Sequence, residues 1–446
     1  MSQMKFQRTR VFDVDIAHPL PDILEMQGYE YAHILVRWET RTLCTLHLPC
    51  PNGILRGQAI RDAVATDGYA GWLISDRAIR RWLLGPDALA SPATQPSWSV
   101  IVCTRDRPVD LRRCLGALMA LESAPGGACG EIVVVDNAPA TDAAERVVLE
   151  YQAIVQQQGK PALRYVREER PGLNWARACG ARAASGEIVA YTDDDVVVDR
   201  HWITRILEPF ADGRVGAVTG LTMPFEIETE SQWLFERYGG FGRGLRRRVF
   251  DANWFRATDA GAAGAGANMA LRRALVVDGQ LFEVELDAGT VTRTGGDTYA
   301  MYRLLVEGYQ VIYTPDAIVW HKHRREYGPL RDTLYGYSVG GFAYLTRCLV
   351  SHGDLRALGS MVTWIRTDHA RHLYRLLRRR PHALPRDLVL AYWKGVFIGP
   401  FAYLRSRRTE RRHRAMDAAL RRTLAPPGLS GTDSPLQPEL HAETSP

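Results

Sequence analysis

Short apolar runs separated by polar turns dominate the first part of the chain. The runs 32–38 and 43–48 read as strands divided by the turn 39–41, and a helical stretch, Gln58–Thr66, follows them. No residues here carry an obvious chemistry, so we expect residues 1–95 to form a small β-containing accessory module. Proline and serine residues at 91–96 indicate a linker after it.

From residue 98 onwards, strand-like runs alternate with helical stretches. The predicted strands are 98–103, 131–135, 163–166 and 187–192. Helices are predicted around Leu111–Met119, from Asp142 onwards, and over 175–184, where Asn174 is the expected cap. Such alternation predicts an α/β fold with a mostly parallel sheet flanked by helices. We assign residues 96–330 to this domain.

The chain becomes helical and basic from about residue 331. Residues 371–422 carry 15 Lys and Arg against 3 Asp and Glu, whereas the whole chain has a net charge of +6. The run Leu388–Leu404 is apolar apart from Lys394, yet it is shorter than the roughly twenty residues that span a bilayer. We expect residues 331–425 either to lie on an anionic membrane surface or to pack on the α/β domain. Residues 426–446, rich in Pro, Ser, Thr and Gly, are expected to be disordered.

Composition excludes several classes of protein. With 446 residues, 46% hydrophobic and 24% charged, the chain has the profile of a soluble globular protein of two or three domains. Seven scattered cysteines without a Cys-x-x-Cys pair argue against a disulfide framework and a cysteine zinc site. The polar start MSQMKFQRTR does not read as a signal peptide. We therefore expect a cytoplasmic protein, with attachment to the inner face of the cell membrane as the finer hypothesis.

Three consecutive carboxylates, Asp193, Asp194 and Asp195, directly follow the predicted strand 187–192. Like charges at the end of a buried strand repel each other, and the usual remedy is a divalent cation such as Mg²⁺ or Mn²⁺. Residues 104–107 and 136–137 follow two other predicted strands, and ligands bind beyond the carboxyl ends of such strands. A solvated acidic turn is the alternative, but this setting favours a metal–phosphate site.

Seven segments of the chain resemble the family 2 glycosyltransferases with a GT-A fold, in order and in spacing. They are SVIVCTRDR at 99–107, VVVDN at 133–137, PGLNWAR at 171–177, YTDDD at 191–195, GAGANMA at 264–270, GGD at 295–297 and VWH at 319–321. The resemblance covers about residues 97–325. It implies an inverting, divalent-metal-dependent transfer of a sugar from a nucleotide-diphosphate sugar to an acceptor hydroxyl. Such transfer belongs to the synthesis of cell-surface polysaccharides, glycolipids or related glycoconjugates, and lipid-linked acceptors are included.

The resemblance also assigns roles to single positions. Its donor-binding residues are Thr104, Arg105, Arg107, Asp136, Arg177, Asp193, Asp194, Gly266 and Asn268. Its metal ligands are Asp193, Asp195 and His321, and its general base is Asp297. Many members have a Glu-Asp pair after the glycines, whereas here Asp297 follows Gly296 directly, so Asp287 and Glu285 stay open as alternative bases.

Other functions fit the sequence less well. A base on one side of the donor and a leaving group on the other give displacement with inversion. A sugar-phosphate nucleotidyltransferase needs a glycine-rich loop where this chain has 104–108. A non-catalytic nucleotide-sugar-binding scaffold is disfavoured because Asp195 and Asp297 are both present. No recognisable module supports nucleic-acid binding. The glycine-rich segment 239–244 is either a flap over the acceptor or a plain surface loop.

Overall fold

A computed structural model of the protein describes residues 6–23, 25–84, 95–122, 130–158, 161–380 and 383–424. Contacts divide the chain into two units, residues 1–406 and residues 407–446. In the second unit, residues 407–424 are helical. Most of the predicted linker and the predicted disordered tail lie outside the described residues.

The elements follow the predicted order of a small sheet, an α/β part and C-terminal helices. The N-terminal elements are strands β1 (Thr9–Asp15), β2 (Tyr31–Trp38) and β3 (Arg41–Pro49) and helices α1 (Gly57–Thr66) and α2 (Gly68–Leu84). The strands of the α/β part are β4 (Trp98–Thr104), β5 (Glu131–Asn137), β6 (Ala162–Glu168), β7 (Ile188–Asp193), β8 (Val196–Val198), β9 (Val215–Pro224), β10 (Arg248–Phe250), β11 (Asn268–Arg272) and β12 (Gln310–His321). Its helices are α3 (Pro108–Leu118), α4 (Ala143–Gln158), α5 (Leu173–Ala183), α6 (Trp202–Leu207), α7 (Glu230–Tyr238), α8 (Arg273–Val277) and α9 (Gly296–Val306). The C-terminal helices are α10 (Tyr327–His352), α11 (Arg356–Trp364), α12 (Ala370–Leu377) and α13 (Arg386–Leu424). Shorter 3-10 turns occupy Pro51–Gly53, Glu208–Ala211 and Ala257–Ala263, and a π-helical turn occupies Ile365–His369.

The large sheet has the strand order β10-β12-β9-β11-β7-β4-β5-β6, and β8 pairs with β12 beside it. The pairs β4–β5, β4–β7 and β5–β6 are parallel, as the strand–helix alternation predicts. In the other half, β11 runs antiparallel to both β7 and β9, so that half is mixed. Strands β4, β5 and β9 are buried along their whole length because helices cover both faces of the sheet. The α/β class is confirmed.

The N-terminal sheet is attached to the α/β part by buried ion pairs. Arg37 on β2 lies 2.6 Å from the carboxylate of Asp199, and both side chains are 7% exposed. Asp316 on β12 accepts from the guanidinium of Arg41 at 2.9 Å and from the backbone N–H of Thr42 at 2.8 Å. Removing one partner of such a pair leaves a buried charge without compensation, which is costly. These contacts hold the small sheet against one edge of the α/β part.

The prediction that Asn174 caps its helix is wrong. Helix α5 begins earlier, at Leu173, with Gly172 as the N-cap residue at φ +140°. The buried side-chain amide of Asn174 instead donates to the carbonyls of Glu283 and Leu286 at 2.7 and 3.2 Å. An amide can bridge two distant backbone carbonyls as readily as it caps a helix, so the local sequence does not separate these two uses.

One face of α13 packs tightly on α10, while another is exposed. A methyl group added at Gly395 would lie 2.4 Å from Cβ of Ser338, and one at Gly399 would lie 2.6 Å from Cβ of Phe342. These glycines allow the two helices to approach closely. Among the described residues, no helix has both the length and the apolar character needed to cross a bilayer. The described cysteines are free thiols.

Candidate active site

A cavity of about 1130 Å³ lies beyond the carboxyl ends of the parallel strands. Most of the predicted site residues line it: Thr104, Arg105, Arg107, Arg177, Asp193, Asp194, Asp195, Gly266, Asp297 and His321. Pockets for a single small ligand usually measure about 300–1,000 Å³. The cavity is therefore large enough for two substrates to meet within it.

A potential metal site lies at one end of the sheet, between β7 and β12. One ligand atom from each of Asp193, Asp195 and His321 lies within 4.8 Å of the others. Oδ1 of Asp195 is buried without a hydrogen-bond partner, and Nε2 of His321 lies 3.4 Å away from it. Two carboxylates and one imidazole suit a divalent cation such as Mn²⁺ or Mg²⁺, so these residues fit the predicted metal.

The middle carboxylate of the triplet has partners of its own. Asp194 accepts a hydrogen bond from Oγ1 of Thr104 at 2.8 Å, and Arg107 reaches both Asp194 and Asp195, at 3.1 and 3.2 Å. Burial, together with the charge of Asp195, raises the pKa of Asp194 to about 6 and that of Asp193 to about 7. The aspartate triplet is thus an electrostatically strained cluster, which a bound cation relieves.

His321 is prepared to act as a neutral ligand. Burial lowers its pKa to about 4, against the opposing effect of Asp195. Its Nδ1 lies 3.1 Å from Nδ1 of His323, whose Nε2 lies 2.6 Å from a carboxylate oxygen of Glu236. The ring of Phe241 packs edge-on against His321 with the centroids 4.9 Å apart. Imidazole binds metals in its neutral form, and neighbouring groups of this kind fix the ring orientation.

The predicted base lies on the same cavity. Asp297, in the first turn of α9, accepts from the backbone N–H of Gly266 at 2.7 Å through Oδ2 and from that of Thr298 at 2.7 Å through Oδ1. Asp287 is instead paired with Arg177, 2.5 Å away, and both side chains are buried. Burial alone would lower the pKa of Arg177, but the carboxylates of Asp287, Asp297 and Asp193 outweigh it and raise that pKa.

Residues 99–278 match the family model described as glycosyl transferase family 2. The chain contains a family 2 glycosyltransferase domain. The match includes the aspartate triplet, Arg177 and Gly266, whereas Asp297 and His321 follow it in the chain. No match was found among curated proteins.

Several solved glycosyltransferases are similar to the chain in outline. The mannosyltransferase PcManGT from Pyrobaculum calidifontis, in complex with GDP-Man and Mn²⁺, is 20% identical with a TM-score of 0.44, over 83% of this chain and 99% of that one. GalNAc-T7 with UDP, GalNAc and Mn²⁺ is 18% identical with a TM-score of 0.38, over 55% of this chain and 47% of that one. TarS residues 1–349 from S. aureus, in complex with UDP, is 14% identical with a TM-score of 0.38, over 60% of this chain and 75% of that one. At these values we assign the domain from the family match.

Asp136 of the family 2 domain lies at the end of β5, fully buried. Tyr165 donates to its Oδ2 at 3.0 Å, while its Oδ1 is buried without a hydrogen-bond partner. Burial raises the pKa of Asp136. The residue is not among those lining the 1130 Å³ cavity, although its neighbour Asn137 is.

Two further candidates, Asn268 and Glu285, also lie outside the cavity lining. The side chain of Asn268 is fully buried in the sheet, where it accepts from Trp202 at 2.8 Å and donates to the carbonyls of Leu221 and Ala317 at 3.0 and 2.9 Å. These bonds fix β11 against its neighbours. Glu285 is buried elsewhere, and its backbone carbonyl accepts from Ser406 at 2.7 Å.

Sequence reasoning assigned no role to several residues that line the cavity. Arg324 lies 3.8 Å from Asp195 and could have been noticed from its position three residues after His321. Phe241 and Arg243 had no role of their own in the sequence analysis, which left segment 239–244 open as a flap or a surface loop; both side chains line the cavity. Trp364 and Tyr392 come from the C-terminal helices. No local signal identifies these last two, because an amphipathic pattern does not reveal which neighbour a helix packs against.

Proposed function

We propose that the protein is an inverting, divalent-metal-dependent glycosyltransferase that moves a sugar from a nucleotide-diphosphate sugar to an acceptor hydroxyl. The observation that carries this proposal is that one cavity holds both the Asp193–Asp195–His321 cluster and the carboxylate of Asp297. The cluster is suited to a cation that neutralises a diphosphate. The carboxylate of Asp297 is suited to accept the proton of the acceptor hydroxyl. Family 2 membership supports the reaction class.

Stabilisation of the leaving diphosphate is assigned to the part of the cavity that holds the Asp193–Asp195–His321 cluster. Asp193, Asp195 and His321 would hold a Mn²⁺ or Mg²⁺ ion there, which would supply positive charge for the departing diphosphate. Arg107 and Arg324, beside Asp195, add fixed positive charge to the same region. Thr104, Arg105 and Asp136 lie on or near the strand ends at which the nucleoside is expected.

Proton removal is assigned to Asp297. Both of its oxygens accept backbone hydrogen bonds, which fix the orientation of the carboxylate. Each carboxylate oxygen has further lone-pair capacity, so Asp297 can still accept the proton of an attacking hydroxyl. Asp287 is less suited because it is already neutralised by Arg177, and Glu285 does not line the cavity. No second carboxylate is assigned the role of a nucleophile, so the proposed displacement is an inverting one.

The acceptor is placed at a membrane surface in this proposal. Leu390, Phe397 and Phe401 on α13 are 53%, 66% and 71% exposed and recur at helical spacing on the side away from Gly395 and Gly399. The exposed residues 378–380 and 405 add arginines near both ends of this apolar stripe. Aromatic and basic residues together bind anionic lipid headgroups without crossing the bilayer. This arrangement is compatible with a lipid-linked acceptor.

A thermal-shift screen tests the reaction class. The full chain is heated with nucleoside diphosphates and nucleotide-diphosphate sugars, each in Mn²⁺, Mg²⁺ or EDTA. We expect one nucleotide to raise the melting temperature, and only with a cation, because a ligand that binds the native state stabilises it. Asp195→Ala removes a metal ligand and should abolish both this shift and transfer.

Two outcomes contradict the proposal. If no nucleotide of the panel stabilises the wild type in the presence of a cation, the donor assignment fails. If the chain instead forms pyrophosphate from a nucleoside triphosphate and a sugar 1-phosphate, it is a nucleotidyltransferase. Once donor and acceptor are known, the anomeric configuration of the product, read by NMR, decides between inversion and retention.

A further inference from the structure

The glycine-rich segment 239–244 brings two large side chains to the cavity. Phe241 packs against the candidate ligand His321, and Arg243 lines the cavity beyond it. The segment is held at its end, where Tyr313 donates to the carbonyl of Gly244 at 2.7 Å. Leu245, which follows, packs against the core of the N-terminal sheet. Arg243 therefore occupies a defined position.

Arg243 differs from two other arginines of the cavity in having no carboxylate partner. Arg107 pairs with Asp194 and Asp195, and Arg177 pairs with Asp287. Arg243 donates hydrogen bonds to the backbone carbonyls of Gly242 and Gly261, at 3.4 and 3.3 Å, and forms no ion pair with any described carboxylate. Its Nε is buried without a hydrogen-bond partner. The Arg243 side chain as a whole is part-exposed, but a buried polar atom that lacks a hydrogen-bond partner, such as this Nε, is costly.

The position of Arg243 relates it to Asp297 rather than to the metal cluster. Its guanidinium donates to Gly261, and a methyl group added at Gly261 would lie 3.7 Å from Cγ2 of Thr298. Thr298 directly follows Asp297 and donates to it at 2.7 Å. Burial lowers the pKa of Arg243, whereas Tyr313 and then the carboxylate of Asp297 oppose that effect. The unpaired cation thus lies on the side of the cavity where the acceptor hydroxyl must be placed.

We infer that Arg243 binds an oxyanion, a carboxylate or a phosphate, that is carried by the acceptor. The inference rests on the proposed function and names the chemical class of its acceptor. An arginine fork matches the geometry of both oxyanions, and charge-assisted hydrogen bonds are the strong ones. The acceptor's anion supplies the ion-pair partner that no described residue of the chain provides. Arg243 is accordingly a specificity-determining residue.

Inorganic phosphate and glucuronate serve as probes of this site, with glucose as the neutral counterpart of glucuronate. Melting temperatures of the full chain are measured in EDTA at constant ionic strength, so that the metal cluster does not hold the probes. We expect at least one oxyanion, but not glucose, to stabilise the wild type. Arg243→Met keeps the length of the side chain without its charge and should lower the oxyanion affinity about 10- to 100-fold. Arg247→Met, an exposed arginine of the same region, is the matched control and should keep the full response.

Further variants separate the outcomes. Without any probe, Arg243→Met should melt at or above the wild-type temperature, because the buried, unpartnered Nε–H is removed together with the charge. A lower melting temperature indicates a structural role and overturns the inference. An equal oxyanion response in wild type and Arg243→Met, or no response in the wild type, also overturns it. Arg243→Lys, which keeps the charge but not the fork, should show an intermediate loss of affinity.

The donor's diphosphate is the competing source of the anion. It is tested with Mn²⁺ and the nucleotide that stabilises the wild type. We expect Arg243→Met to keep that nucleotide response. If the variant loses it, Arg243 serves the donor and the inference about the acceptor falls. Failure of the proposed function is distinguishable, because then no nucleotide stabilises the wild type, whereas the oxyanion response in EDTA does not depend on a nucleotide.

Discussion

The backbone N–H of Gly266 donates to Oδ2 of Asp297 at 2.7 Å, although 31 residues separate them in the chain. A methyl group added at Gly266 would lie 2.4 Å from Nη2 of Arg177 and 3.0 Å from Oδ2 of Asp297. Position 266 thus keeps the candidate base and the buried arginine close to the same short stretch of backbone. Only glycine leaves room for that approach.

We expect Gly266→Ala to impair transfer strongly. The backbone of Gly266 is not in the left-handed region, so the effect is steric: the methyl group must displace Arg177 or Asp297. Such overpacking typically costs about 1–3 kcal/mol of stability, and a displacement of about 1 Å at a catalytic group can cost about 10²-fold in rate. Melting temperature and turnover are measured together. Gly213→Ala, with open space around the added methyl group, is the control and should be neutral. Wild-type turnover in Gly266→Ala would show that the contact does not position the base.

Asp297→Asn separates catalysis from helix capping. The variant keeps the shape of the side chain and one acceptor oxygen but cannot take up a proton. We expect turnover to fall about 10²–10⁴-fold, or roughly 3–5.5 kcal/mol of transition-state stabilisation, while donor and metal affinity stay nearly unchanged. Calorimetry of donor binding and single-turnover rates provide the measurement.

The competing account is that Asp297 only stabilises the start of α9, where it accepts from Thr298. A cap contributes about 0.5–2 kcal/mol to stability, so on that account Asp297→Asn melts earlier but remains active. Transfer within about fivefold of the wild type would remove Asp297 as the base and make Asp287 the next residue to test. Loss of the donor's affinity would instead point to a binding role.

The sequence predicts a part of this site where neighbouring residues determine its structure, and fails where residues far apart in the chain determine it. Strands β4, β5 and β7 are recognisable because each is a short apolar run that ends in polar residues, and parallel strands bring those ends together. The sequence pattern did not predict strand β12. Pro315 and Asp316 interrupt its apolar run, and its register with β9 shifts between Thr314 and Ile318. A local pattern does not show that such an interrupted run is continuous.

Long-range partners lie beyond sequence reasoning for a different reason. Arg177 and Asp287 are 110 residues apart, and only the folded chain shows that their charges neutralise each other. The same holds for Arg243. Only the folded chain shows that no described carboxylate forms an ion pair with its guanidinium. Composition reveals that a region is basic or glycine-rich, whereas pairing of single charges is a property of the packed structure.

The buried side chain of His369 should make the protein less stable in acid. Its side chain is fully buried, with its ring stacked on Tyr392 at 4.1 Å and Nε2 3.1 Å from Oγ of Ser338. Burial lowers its pKa to about 4, against the opposing effect of Asp368. Between that value and the unfolded-chain value of about 6.5, the unfolded state binds more protons than the native one. The free energy of unfolding therefore falls as the pH drops from about 6.5 towards 4.

We expect this histidine to account for about 2 kcal/mol of the stability lost between pH 7 and 4.5. His369→Phe keeps an aromatic ring but cannot be protonated, so its denaturant-unfolding free energy should depend less on pH than that of the wild type. His18→Gln, at an exposed histidine, should leave the wild-type dependence unchanged. Identical pH dependence in wild type and His369→Phe would contradict the assignment.

The exposed apolar stripe of α13, formed by Leu390, Phe397 and Phe401, should bind anionic membranes. Phe397 and Phe401 are 66% and 71% exposed, and burying such a side chain fully in an apolar phase is worth about 1.5–3 kcal/mol. We expect the wild type to float with vesicles that contain anionic lipid, less so as salt is raised, and the double variant Phe397→Ser/Phe401→Ser to lose more than tenfold in affinity. Trp254→Ser, at another exposed aromatic residue, is the control and should bind like the wild type. Undiminished flotation of the double variant would place the lipid contact elsewhere, and no flotation of the wild type would end the membrane assignment.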